Sequence, residues 1–122
     1  MKVPFTRGTQ GRYVTPVSPE KVAQFHGEVV HPYYSTFALG QDAEWACRQF
    51  VLEMKEPGEE GIGTYLSIHH AAPVPLGAQV EIVATLLWVQ GRTVHCAYEV
   101  FWGGQRVAYG EQTQKIIEKS LI

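Results

Sequence analysis

From Thr36 to Met54 the chain runs without a proline and with a single glycine, Gly40. Most of these residues form helices well or tolerably. Thr36 stands where an N-cap would, and Lys55 lies just beyond the last turn, the end that favours positive charge. The apolar residues keep to no single stripe: Phe37, Leu39, Ala43, Trp45, Phe50 and Leu52 spread around most of the circumference. A helix of that kind is buried on nearly all sides. Its length barely suits a bilayer, and Asp42, Glu44 and Arg48 in its middle argue against a membrane. The chain must therefore supply something that encloses a core helix.

Beyond the helix the apolar period changes to two. Gly63 to Ala72 reads as a strand closed by Pro73 and Pro75. Gln79 to Val89 reads as a longer one, with Val80, Ile82, Ala84, Leu86 and Trp88 on one face. Gln90-Gly91 and Gly103-Gly104 supply hairpin turns, so Thr93 to Trp102 and Gln105 to Ile117 complete a four-strand meander. Before the helix, Arg12 to Val17 reads as a short strand. Ser18-Pro19 then starts a short helix ending near Phe25 or His26, and a loop runs from Gly27 to Ser35. Residues 1–10 are expected to be frayed or loosely docked. An antiparallel sheet with one long apolar helix covers it by curling around it, which is the α+β hot-dog arrangement. Residues 1–122 read as a single domain of this kind, with no internal repeat.

Composition narrows the function. A formal charge of −2 with no Lys/Arg cluster gives no case for nucleic acid. The two cysteines, Cys47 and Cys96, have no metal-type spacing and read as reduced thiols, which suits a cytoplasmic protein. No metal site and no resident cofactor are expected.

Two positions invite chemistry. Glu44 lies in the apolar run between Ala43 and Trp45, where a carboxylate is either activated by desolvation or held by a partner. Arg48, four residues on, is the structural candidate for that partner. His69 and His70 are adjacent, and strand geometry separates them. His70 shares the inward face with Leu66 and Ile68, while His69 shares the other with Tyr65 and Ser67. The pair diverges, so it cannot form a simple double-histidine metal site. Gly40, one turn into the helix, leaves room for close approach to its first turn.

At this level the residues resemble a known family. Thr36 with Glu44-Trp45-Ala46-Cys47, then Glu56-Pro57-Gly58-Glu59, Gly63-Thr64 and His70-x-Ala72 ending at Pro75 and Gly77, resemble the fluoroacetyl-CoA thioesterase-type members of the hot-dog superfamily. The resemblance implies a catalytic set of Thr36, Glu44 and His70, and substrate contacts at Tyr33, Tyr34, Gly40 and Gly63. It implies an acyl-CoA substrate, with coenzyme A part of that substrate, and a dimer. Separately, the long strands from Val80 to Ile117 leave an edge that calls for pairing, which gives a homodimer that can pair again into a tetramer. On an ungapped match Gly27 and Val30 stand where that enzyme has an aromatic lid, so a general short-chain or aromatic acyl-CoA is the expected substrate. A non-catalytic acyl-CoA-binding module on the same fold is the alternative. A hydratase is disfavoured because the Asp-x4-His pattern of that branch is not visible. Arg92, Arg106 and Lys115 are unranked candidates for the CoA phosphates.

Overall fold

The computed structural model describes all of residues 1–122. Helix α1 occupies Thr36–Met54, the predicted span. Its cap is Ser35 rather than Thr36: the Ser35 side chain accepts a hydrogen bond from the Ala38 N–H at 3.0 Å. Thr36 thus becomes the first helical residue, and its hydroxyl is free for other work. Only one side of α1 is sealed. Leu39, Ala43, Cys47, Val51 and Met54 are fully buried, but Phe37 is 85% exposed and Trp45 and Leu52 also reach solvent. The expectation of burial on nearly all sides is corrected accordingly: a curled sheet can cover one face of a helix, not its whole circumference.

The strands are β1 (Gln10–Pro16), β2 (Val22–Phe25), β3 (Glu28–Tyr34), β4 (Glu59–Leu66), β5 (His69–His70), β6 (Gln79–Gln90), β7 (Thr93–Trp102) and β8 (Gln105–Glu118). The main sheet has the order β1-β6-β7-β8-β4, with β5 also on β8, all antiparallel. Only β6, β7 and β8 form a meander. The strand after the helix does not pair with β6, as a four-strand meander requires, but crosses to the far edge beside β8. β1 fills the vacated place. Gly103 and Gly104 both have positive φ, 58° and 77°, as the tight β7–β8 turn demands.

Other boundaries moved for local reasons. Pro19–Lys21 makes a single 3-10 turn, and Val22 begins an extended segment instead of continuing a helix. β2 and β3 then form a hairpin through His26 and Gly27, both at positive φ, where a loop was expected. The strand expected over Gly63 to Ala72 starts earlier, at Glu59, and is broken between Leu66 and His69. A register shift between Leu86 and Trp88 turns Trp88 to the outer face, where it stacks on His95 at 4.9 Å. The first residues are docked, not frayed: Lys2 N–H donates to the Met54 carbonyl, and Phe5 packs edge-on against Phe50 at 5.2 Å.

The core lies between α1 and the concave face of the sheet, where Ile82, Leu86, Val100, Val107 and Ile116 are fully or almost fully buried. No helix is long and apolar enough to cross a membrane.

Candidate active site

The N-terminus of α1 and the short strand β5 bring two of the expected residues together. Thr36 Oγ1 lies 2.9 Å from His70 Nδ1. His70 faces the helix as its strand alternation predicts, while His69 points outward and stacks on Tyr109 at 4.8 Å. Leu66 and Ile68 share the inward face with His70, packing around Gly40. Burial holds the His70 pKa below its ordinary value of 6.5; the Ala72 backbone opposes that shift and His31 reinforces it. The imidazole is therefore poised as a neutral base. Its Nε2 is buried and has no hydrogen-bond partner. Thr36 and His70 open into a cleft of about 500 Å³ whose walls include Phe25, Val30, Tyr33, Phe37 and Pro73.

Glu44 stands elsewhere. It is half-buried and lines a second groove of about 630 Å³ together with Gln41, Trp45, Arg48, Gly63 and Gln114. Phe37 belongs to the rims of both grooves. A rise of about 1.5 Å per residue separates Thr36 from Glu44 by roughly 12 Å along the axis, and Thr36 lies on the helix rather than curled away from it. Within one chain the two cannot meet over a single thioester. The structural alternative for Glu44 fails as well: Arg48 pairs with Glu60 at 2.8 Å and reaches the Gly61 carbonyl, leaving Glu44 unpaired. The buried helix acid is Asp42, which accepts from the Tyr34 hydroxyl and sits 3.1 Å from Lys21 Nζ.

The four expected substrate contacts fare differently. Tyr33 is exposed on the first cleft. Tyr34 lines the same cleft, but it is buried and its hydroxyl is spent on Asp42, so it serves as a structural post. Burial and that carboxylate together push its pKa up. Gly40 does permit a close approach, but the group that approaches is Ile68: a β-carbon at Gly40 would lie 2.7 Å from Ile68 Cδ1. No space remains there for substrate. Gly63 lies in the second groove, against the Glu44 carboxylate.

The profile of the fluoroacetyl-CoA-specific thioesterase family matches residues 17–120. The chain belongs to this family. A fluoroacetyl-CoA thioesterase from Streptantibioticus cattleyicolor is 29% identical over 106 residues, which cover 87% of this chain and 72% of the relative. A Thermus thermophilus thioesterase-superfamily protein of known structure is 32% identical and superposes with a TM-score of 0.91, covering 97% of this chain and 88% of that one. The crystal structure of the fluoroacetyl-CoA thioesterase FlK, at 24% identity and a TM-score of 0.88 over 96% of this chain and 91% of that one, has the same fold.

In this family member two of the candidate phosphate-binding cations are already engaged. Arg92 pairs with Glu59 at 2.6 Å, and Arg106 pairs with Glu99 while lying over the Tyr109 ring. No group of three or more His, Cys, Asp or Glu is placed to hold a metal ion. Sequence reasoning missed the β2–β3 hairpin, whose Phe25 and Val30 wall the cleft, and the buried Gln112 and Gln114 on β8. The glutamines did leave a signal: they alternate with Ile116 on what should be an apolar inward face.

Proposed function

We propose that this thioesterase hydrolyses a small acyl-CoA at a site shared between two subunits, with Thr36 and His70 from one and Glu44 from the other. The observation that carries the reading is the Thr36–His70 contact of 2.9 Å on the wall of a largely apolar cleft. A hydroxyl within hydrogen-bond reach of a neutral imidazole is the arrangement of an activated nucleophile. Thr36 Oγ attacks the thioester carbonyl while His70 Nδ1 takes its proton and returns it to the departing CoA thiolate. Glu44 then takes a proton from the water that attacks the acyl-Thr36 carbonyl; the acyl–Oγ bond breaks, the free acid leaves, and that proton passes to Thr36 Oγ, which restores both groups. Coenzyme A leaves as product, and no resident cofactor takes part.

Support for a homodimer comes from the edges and the exposed surface. β4 closes one end of the sheet with an unpaired edge, and such an edge calls for a partner. Ile62, Tyr65 and Leu66 on β4, with Phe37 and Trp45 on α1, expose apolar surface on that side. Pairing two copies along β4 would cover this surface, and the shared site requires that it bring the Glu44 groove of one copy to the Thr36–His70 cleft of the other. A second pairing into a tetramer is compatible with this arrangement. The free, buried Cys47 and Cys96 suit a reducing cytoplasm.

Thiol release from a panel of acetyl-, fluoroacetyl-, short-chain and aromatic acyl-CoAs tests the activity. Turnover supports it; saturable binding without turnover leaves a binding module. Glu44→Gln should lose about 10²–10⁴-fold in turnover and accumulate acyl-Thr36, visible as a mass increase of one acyl group. Hydrolysis within about fivefold of the parent, far short of a general-base effect, overturns the role of Glu44. Mixing Glu44→Gln with Thr36→Ala subunits should restore part of the activity in heterodimers, and no restoration overturns the shared site.

A further inference from the structure

The inner face of β8 carries Gln112 and Gln114, 1% and 2% exposed, next to the fully buried Ile116. An amide in such a place costs free energy unless its hydrogen bonds are met. Here they are met in sequence. Gln114 Nε2 donates to Gln112 Oε1 at 3.0 Å, and Gln112 Nε2 donates to Glu44 Oε1 at 3.3 Å. The direction of the relay is fixed by its end. An ionised carboxylate only accepts, so Gln112 must present its NH2 to Glu44 and its oxygen to Gln114.

This is the one hydrogen bond made by the Glu44 side chain, and no cation forms an ion pair with it. Arg48 is turned away to Glu60, and Lys21 is held by Asp42. Oε1 also occupies the space that a β-carbon at Gly63 on β4 would need. One carboxylate oxygen is therefore held by an amide donor in a place that the absence of a side chain at Gly63 leaves free, while the groove remains open beside it.

We propose that Gln112 is a positioning residue for the hydrolytic base, with Gln114 locking the orientation of its amide. The inference rests on the catalytic reading of Glu44. Gln112 touches no reacting atom; it sets the direction in which the Glu44 carboxylate meets water. A structural account of two buried glutamines requires only that their polar atoms be satisfied, with no consequence for turnover. The positioning account requires turnover to depend on the donor that faces Glu44.

Gln112→Met keeps the length and unbranched shape of the side chain and removes the donor. A hydrogen bond to a charged group is a strong one, so kcat should fall about tenfold or more with KM within about twofold. Gln114→Met leaves the donor in place but unlocked, and should lose a smaller factor, about two- to fivefold. In a Glu44→Gln background, Gln112→Met should cost nothing further, because residues acting through one group are not additive. Turnover is scored per folded molecule beside a thermal melt, and Gln114→Met carries the test if Gln112→Met folds poorly. A lowered melting temperature with unchanged kcat in both variants, or full additivity with Glu44→Gln, overturns the proposal. If Glu44→Gln cripples the enzyme and Gln112→Met does not, only the positioning role falls; if Glu44→Gln is innocuous, the catalytic reading falls first.

Discussion

Gly63→Ala adds one methyl group and should separate catalysis from stability. A β-carbon at Gly63 would overlap Glu44 Oε1, with the Glu44 carboxyl carbon 3.5 Å away and Gln112 Nε2 at 3.6 Å. To restore van der Waals distance the carboxylate must retreat by roughly 1 Å. Glu44 is a flexible side chain beside an open groove, so the main folding cost of that retreat is the hydrogen bond from Gln112, about 1 kcal/mol. The backbone at Gly63 does not have the positive φ that would strain alanine. Replacing a strand glycine by alanine at such a position stabilises by about 0.4–1 kcal/mol through the unfolded chain, which offsets part of the displacement. Catalysis is far less tolerant: a misplacement of about 1 Å can cost about 10²-fold. The expected result is a kcat lower by about two orders of magnitude with a melting temperature close to the parent's. The assay is continuous thiol release at saturating acyl-CoA, paired with a thermal melt of the same preparation. Adding the substitution to Glu44→Gln should lower kcat no further. If Gly63→Ala retains kcat within about threefold of the parent, the carboxylate does not need its present position and the reasoning is refuted.

His70→Ala should abolish most turnover with the fold retained, while His69→Ala, which removes only an exposed stack on Tyr109, should be mild; equal losses would place the inward face one residue away. Because burial lowers the His70 pKa, the base stays neutral below its ordinary 6.5, so the acid limb of kcat/KM assigned to it should lie under that value; a limb at or above it contradicts the neutral-base role. Glu59 is held down to about 2, against an ordinary 4.5, by the Met1 ammonium, the Arg92 guanidinium and the Glu56 N–H. Its folded pKa is depressed, so its stabilisation is present above about 4.5 and is lost as pH falls toward about 2. Arg92→Gln should make the fall of melting temperature across that window shallower, and an unchanged slope would show that Arg92 does not hold the charge.

Local pattern in this chain determined what local pattern can determine. An unbroken run of helix formers from Thr36 to Met54 set the span of α1, and alternation from Gln79 onward set three long strands, because side-chain period follows backbone geometry directly. The inward direction of His70 was legible for the same reason. The hairpin of β2 and β3 was not: most of its residues are exposed, so no apolar alternation marks it. Nor does any pattern say that β4 must cross to β8, since strand order depends on which edges meet after the helix is covered. The role of Glu44 shows the division most clearly. Its neighbours in sequence, Ala43 and Trp45, suggest burial, yet Trp45 is exposed and Glu44 opens to a groove. Burial belongs to what packs against a residue rather than to what adjoins it in the chain. Only tertiary structure could turn Arg48 to Glu60, bring Gln112 from the last strand to Glu44, and set Glu44 and Thr36 in separate clefts.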